Sequence, residues 1–330
     1  MPTASALTRL ASGMTLDPIG VNEASYRKAE RAWWARVGVE PTEEWLHLGG
    51  DGPRLRVQVL GDGPPVVFVA GASNGGTSWA SLAACLPDHR CILLDRPGCG
   101  LSERLQAGLD DIESFAAFAD GMLVDVLDGL GIERASIVST SLGGYFSLRA
   151  AAAHPDRVRT VVHLGWTIGA PAGHLPPVMR LVSIGPLGRM MARMPIPDRV
   201  VRSMLEQLGL RQALAAGRVP QEFVDWFAAQ LRCTDTALND ADASPQMIHP
   251  ISGIDDGILL TDDLLGSITI PVHFIWGSDD PFGGADVAAA FVPRIPGATL
   301  QLIDGGGHAV WLDDPDGVAE AVNQALASDR

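Results

Sequence analysis

Six short, mostly apolar runs constrain this chain more than any other feature: Val66–Ala70, Cys91–Leu94, Ala135–Val138, Thr160–Leu164, Val272–Trp276 and Thr299–Ile303. A strand with one wet face alternates apolar and polar residues, whereas a strand covered on both faces reads as a continuous run of this length. Between the runs lie stretches with helical spacing, at Trp79–Leu86, Ile112–Leu130, Leu142–Ala153, Ala285–Phe291 and Val318–Ala327. Strand and helix in alternation predict an α/β fold, with a mostly parallel central sheet flanked by helices and right-handed crossovers. Hydrophobic residues make up 47% of the 330, enough to cover both faces of such a sheet.

Two segments stand outside the alternation. Ahead of it, Asn22–Val37 carries Tyr26, Ala29, Trp33 and Val37 on one helical face, with Asn22 as N-cap. Burial of Trp33 and Trp34 is the ordinary use of that aromatic area, so residues 1–42 read as a helical arm docked on the body; walling a pocket is the alternative. Trp45–Leu48 and Arg54–Leu60 then alternate around Gly49-Gly50-Asp51-Gly52-Pro53, a hairpin signal. The second segment, residues 165–262, holds six of the nine methionines and nine of the 23 prolines. Its helical stretches, Val178–Met194, Arg199–Leu214 and Glu222–Leu231, have no strand between them. This segment is expected to form a helical cap inserted between the two parts of the core, 43–164 and 263–330. Flexible, polarisable methionines suit an adaptable apolar pocket, and the same residues also serve to glue cap helices together. On this reading the cap sets substrate choice but not the chemistry, with Met190, Met191 and Met194 facing substrate.

The charge balance excludes some functions. With 24 Lys+Arg against 39 Asp+Glu the net charge is −15, which repels phosphate backbones, so no nucleic-acid partner is expected. A small-molecule substrate is. Cys85, Cys91, Cys99 and Cys233 match neither a metal spacing nor a disulfide framework, as reduced thiols of a cytoplasmic protein would. Met1–Met14 lacks the apolar stretch of a secretory signal, and the uncharged Val161–Met179 is broken by prolines and glycines, so no membrane association is expected. Oligomeric state is left open.

The sharpest chemical signal is Ser139-Thr140-Ser141-Leu142-Gly143-Gly144, at the junction of a buried strand and a helix. A nucleophile presented there needs small residues two before and two after it, and Ser141 has Ser139 and Gly143. The pattern G-x-S-x-G is thus met with serine in place of its first glycine; a serine-rich strand end with a glycine packing contact is the plainer reading. A serine hydroxyl needs a base, and that base needs an orienting acid. His308 follows Asp304-Gly305-Gly306-Gly307 on a loop past a strand, whereas His163 and His273 sit inside apolar runs as core histidines do. Val272–Trp276 ends in Gly277-Ser278-Asp279-Asp280-Pro281, where either aspartate can emerge at the same sheet edge. Cys99 has no histidine placed for it, and His174 and His249 read as surface or pocket-lining residues.

Together these residues resemble the α/β-hydrolase fold with a helical cap, over roughly residues 43 to 327. The order Ser, Asp, His, each past a strand end, is that family's order. Asp95-Arg96-Pro97-Gly98-Cys99-Gly100-Leu101-Ser102 resembles its D-x-P-G-x-G-x-S loop. Trp276-Gly277-Ser278-Asp279-Asp280 resembles W-G-x-x-D, and Gly307-His308 followed by Asp313-Asp314-Pro315 resembles G-H-x(4)-E-x-P with aspartate for glutamate. The family's H-G after its third strand is here Ala70-Gly71-Ala72, without the histidine. The resemblance implies a serine hydrolase with Ser141 as nucleophile, His308 as base and Asp280, rather than Asp279, as acid. It implies backbone N–H groups of Ala72 and Leu142 as the oxyanion hole, and neither metal nor organic cofactor. A small to medium carboxylic ester is the favoured substrate. The alternatives are a C–C hydrolase of ring-cleavage products and a non-catalytic ligand-binding protein of the same fold.

Overall fold

The computed structural model describes residues 22–105, 109 and 111–327. The readings that fall on residues 1–21 and 328–330, including the absent secretory signal and the first half of the arm, lie outside the described residues. Among the described residues ten strands occur in chain order: β1 (Thr42–His47), β2 (Arg54–Leu60), β3 (Pro65–Val69), β4 (Arg90–Leu94), β5 (Ala135–Ser141), β6 (Val158–Thr167), β7 (Ile248–His249), β8 (Gly253–Ile254), β9 (Val272–Gly277) and β10 (Thr299–Ile303). Eight form one sheet in the order β1-β2-β4-β3-β5-β6-β9-β10, while β7 and β8 pair apart. From β4 to β10 every neighbour is parallel; β1 and β2 join one edge antiparallel.

Five of the six continuous runs are explained by the two cores this sheet separates; the sixth, β10, is an edge strand, mostly exposed, with only Ile303 buried. Along β3, Val67 and Val69 enter one apolar cluster and Val66 and Phe68 the other, as the period-two side-chain alternation of a strand requires. Helices α1 (Glu23–Val37) and α2 (Ala80–Ala84) lie on the second side, and α3 (Ile112–Gly129) and α4 (Leu142–Ala153) on the first.

Asn22 caps α1, its Oδ1 accepting from Ser25 N–H, and Gly38 ends the helix at a left-handed φ of 87°. The helix docks through a buried ion pair: Glu30 accepts twice from Arg56, at 2.8 and 2.7 Å. Arg56 also meets Glu43 at 2.6 Å and Asp95 at 3.4 Å. So many anions around one buried guanidinium offset its desolvation, and its protonated form is held more firmly than usual.

Between β6 and β9 lies an insert of seven helices among the described residues: α5 (Pro177–Val182), α6 (Gly185–Ala192), α7 (Asp198–Leu205), α8 (Arg211–Ala215), α9 (Gln221–Cys233), α10 (Thr236–Ala243) and α11 (Asp262–Gly266). The expected helix over Val178–Met194 is two, broken before Pro186, whose ring cannot continue a helix from the preceding turn. The expected Arg199–Leu214 is interrupted by a wide turn over Glu206–Leu210, where Gly209 takes a φ of 86°. Beyond β9 come α12 (Ala285–Phe291), α13 (Val310–Asp313) and α14 (Pro315–Ala327). Among the described residues no helix is long and apolar enough to cross a membrane.

Candidate active site

Ser141 closes β5 and opens α4 with φ 52° and ψ −121°, one of two non-glycine residues at positive φ among those described. Strain of this kind persists only where the surroundings impose it. A Cβ on Gly143 would fall 2.1 Å from Val69 O, and one on Gly144 2.2 Å from the His163 ring, so both glycines are needed for the helix to leave the strand this tightly. Ser139, in place of the motif's first glycine, has a buried job of its own. Its Oγ lies 2.7 Å from Ser147 Oγ and 3.0 Å from His163 Nδ1. Burial pushes His163 down to about 3, so its imidazole is neutral.

Asp280 follows β9 and is buried. Its Oδ2 lies 2.8 Å from His308 Nδ1 and accepts from Trp166 N–H at 2.8 Å, while Oδ1 accepts from Phe282 N–H at 3.0 Å. Asp279 is exposed and accepts from the Ser278 hydroxyl, so of the two adjacent aspartates the structure brings Asp280 to the histidine. His308 is fixed on three sides. Its backbone N–H donates to Leu208 C=O at 2.9 Å, the preceding Gly307 N–H donates to Asp313 at 2.7 Å, and the Phe282 ring stands edge-on at 4.6 Å. The Leu208 contact explains the break in the insert: a Cβ on Gly209 would come 2.7 Å from Gly307 Cα, so the chain must turn there with a residue that has none.

The loop after β3 completes the site. A Cβ on Gly71 would sit 2.8 Å from Ser141 Cβ, which places the Gly71–Asn74 loop directly beside the serine. Leu142 heads α4, where a helix leaves its first N–H groups without intrahelical partners. Ala72, Ser141 and His308 line one cavity, walled by Met179, Met204, Leu208, Phe223, Phe227 and Trp311 among others. One reading needs correction. Met190, Met191 and Met194 are not in this wall; Met190 and Met194 are more than half exposed. The methionines that do face it are Met179 and Met204, which the same helical spacing did not distinguish. His174 and His249 are exposed and outside it. Trp33 is not in the wall either but stacks edge-on against Phe223, which is. Cys99 is a buried thiol pushed up to about 12 by desolvation, which leaves it unreactive. Among the described residues no three His, Cys, Asp or Glu side chains converge in a metal-binding group.

Comparison with known proteins decides the family: the model of the alpha/beta hydrolase family matches residues 66–321. The chain belongs to the alpha/beta hydrolase family. Among alpha/beta hydrolase relatives, a 2-hydroxy-6-oxononadienedioate/2-hydroxy-6-oxononatrienedioate hydrolase of Cupriavidus pinatubonensis is 30% identical over 263 residues, 74% of this chain and 81% of that protein. Carboxylesterase CesB of Bacillus subtilis superimposes with a TM-score of 0.68 at 19% identity, over 92% of this chain and 97% of its own. A 2-hydroxy-6-oxo-6-phenylhexa-2,4-dienoate hydrolase of Rhodococcus superimposes at 0.71 and 20% identity, over 88% and 99%. These two likenesses establish the alpha/beta hydrolase fold. The chain is a hydrolase.

Proposed function

We propose that this hydrolase cleaves uncharged, largely apolar carboxylic esters through a serine acyl-enzyme. Ser141 Oγ attacks the acyl carbon while His308 Nε2 takes its proton. The same proton is returned to the departing alcohol, and water repeats the sequence to release the acid. Asp280, accepting at Nδ1, keeps Nε2 free to receive the proton and stabilises the imidazolium. The N–H groups of Ala72 and Leu142 face the oxyanion, at a gain of about 3 kcal/mol per aligned donor. The insert acts as a cap whose Met179, Met204 and Phe223 bound the acyl chain. Four unpaired cysteines fit a reducing, cytoplasmic setting.

One observation carries the choice of substrate: among the described residues lining the cavity, only His308 has a titratable side chain. A carboxylate placed against such a wall loses its hydration with no Lys or Arg of that lining to pair with, at several kcal/mol. The second reading, C–C hydrolysis of a ring-cleavage product, rests on the Cupriavidus relative, whose name specifies a dioate. Two carboxylates fit this cavity poorly. A panel of p-nitrophenyl esters beside a dienedioate separates the readings. Neutral esters are expected to turn over with Ser141 labelled by a fluorophosphonate. Turnover of the dienedioate alone, or labelling at Ser139, refutes the proposal.

A further inference from the structure

Ala72 stands between two peptide planes, and each is gripped from a different part of the fold. Because a peptide unit is planar, the carbonyl of Gly71 and the N–H of Ala72 move as one body. That carbonyl accepts from Arg96 Nη2 at 2.7 Å, and the preceding Ala70 carbonyl accepts from Arg96 Nε at 3.0 Å. Arg96 is buried and belongs to the loop after β4, in the core. The next plane joins Ala72 C=O to Ser73 N–H. Its carbonyl accepts from Asn74 Nδ2 at 3.3 Å, and its N–H donates to a carboxylate oxygen of Asp240. Asp240 lies on α10, in the insert. With both planes held, the two dihedrals of Ala72 are determined, and the plane that carries its N–H is braced through the Ala72 Cα as well as by Arg96.

The grip on the second plane is also where the backbone is strained. Ser73 has φ 62°, the other non-glycine residue at positive φ among those described. A residue without glycine's freedom stays there only when its surroundings compensate, and the bond to Asp240 does so. The partners of Asp240 are themselves well placed. Arg96 attracts its carboxylate, although burial raises its proton affinity. Asn239 beside it donates to Pro97 C=O at 3.2 Å, and Thr236 one turn earlier accepts from Gly100 N–H at 3.0 Å. Helix α10 is therefore docked on the β4 loop through Thr236 and Asn239, and Asp240 carries the contact on to Ser73 in the β3 loop, toward the nucleophile.

We infer that Asp240 is a positioning residue for the oxyanion hole, so that the insert completes the catalytic geometry as well as enclosing the substrate. This rests on the reading of Ser141 and Ala72 given above, and it replaces the expectation that the insert leaves the chemistry alone. A misaligned donor is felt only as charge develops on the oxyanion, so its loss falls on kcat and spares ground-state binding. Misplacement by about 1 Å costs on the order of 10²-fold.

The test uses the whole chain with p-nitrophenyl butyrate as substrate and butylboronic acid as a tetrahedral mimic. Asp240→Ala is expected to lower kcat about 10²-fold, to change KM less than threefold and to weaken the boronate in proportion to kcat. Asp240→Asn keeps the shape and one acceptor oxygen and is expected to recover kcat to within about tenfold of wild type. Should the alanine variant fail to fold, the asparagine variant carries the test alone: kcat and boronate affinity fall together by about five- to tenfold. Asp240→Asn and Asp240→Ala with wild-type kcat and boronate affinity overturn the inference while leaving the serine hydrolase reading intact. A loss confined to KM overturns it too. A wild-type chain that neither turns over the ester nor takes a fluorophosphonate at Ser141 overturns that reading, and the inference with it.

Discussion

Replacing Asp280 by asparagine exchanges one oxygen for an NH2 group and confronts three donors with one acceptor. The carboxylate accepts from His308 Nδ1, Trp166 N–H and Phe282 N–H, and its side chain is fully buried. An amide can serve the Oδ2 side or the Oδ1 side, not both. With its oxygen toward Phe282, its NH2 donates to His308 Nδ1, and the imidazole is forced into the tautomer protonated at Nε2. That tautomer cannot take the proton of Ser141. The analogous change in a serine protease costs about 10⁴ in kcat, which is about 5.4 kcal/mol of barrier. In the same orientation Trp166 N–H loses its partner, an additional stability cost of about 1–3 kcal/mol. The assay is steady-state hydrolysis of p-nitrophenyl butyrate, with urea unfolding of the same samples to show that the variant folds. Asp279→Asn is the control: its side chain is exposed and accepts from the Ser278 hydroxyl, so activity within about threefold of wild type is expected. A folded Asp280→Asn that keeps a tenth of wild-type activity refutes the tautomer reasoning; a dead Asp279→Asn moves the acid to the neighbouring position.

Chain-length preference should respond to Met179 and Met204 but not to Met190 and Met194. Met179→Ala or Met204→Ala is expected to shift the preferred p-nitrophenyl ester by two or more carbons, whereas alanine at the two exposed positions leaves the profile unchanged; the ester series reads both. His163 gives a pH signature in stability. Its folded pKa, about 3, lies below the unfolded value near 6.5, so the unfolded chain takes up the proton first. Its contribution is therefore full above pH 6.5 and lost as pH falls toward 3, by at most about 1.4 kcal/mol per unit. The wild-type advantage over His163→Gln should shrink at that rate between pH 6 and 4 in urea unfolding, and parallel curves would count against a neutral buried imidazole.

How much of this was legible in the sequence depends on the distance over which each feature is determined. The inner strands were legible because two covered faces demand an apolar residue at every position, and that demand is written in the run itself; the edge strand β10 shares the pattern without the burial. The turn at Ser141 was legible because the small residues it needs stand within three positions of it, although the atoms that exclude a side chain at Gly143, Val69 O first, belong to β3. Asp279 and Asp280 were not separable from local geometry, because the donors that select Asp280 come from Trp166 and Phe282 as well as from His308. The insert was the least legible part. Its helical period runs unbroken through Arg199–Leu214, yet the chain must open at Gly209 to let Leu208 C=O reach His308 N–H, a hundred residues away. Asp240 was hidden in the same way. In Asn239-Asp240-Ala241-Asp242 two carboxylates alternate on a short helix, as on any solvated face. Only the fold turns one of them to Ser73 and leaves the other paired with Arg104 and Arg189. Ser139 shows the converse. Where the motif has glycine, a hydroxyl is tolerated because His163 on the neighbouring strand and Ser147 two turns into α4 both lie within hydrogen-bond reach of it. The departure from the motif thus has its cause in residues 8 and 24 positions further along the chain, and local spacing carries no record of them.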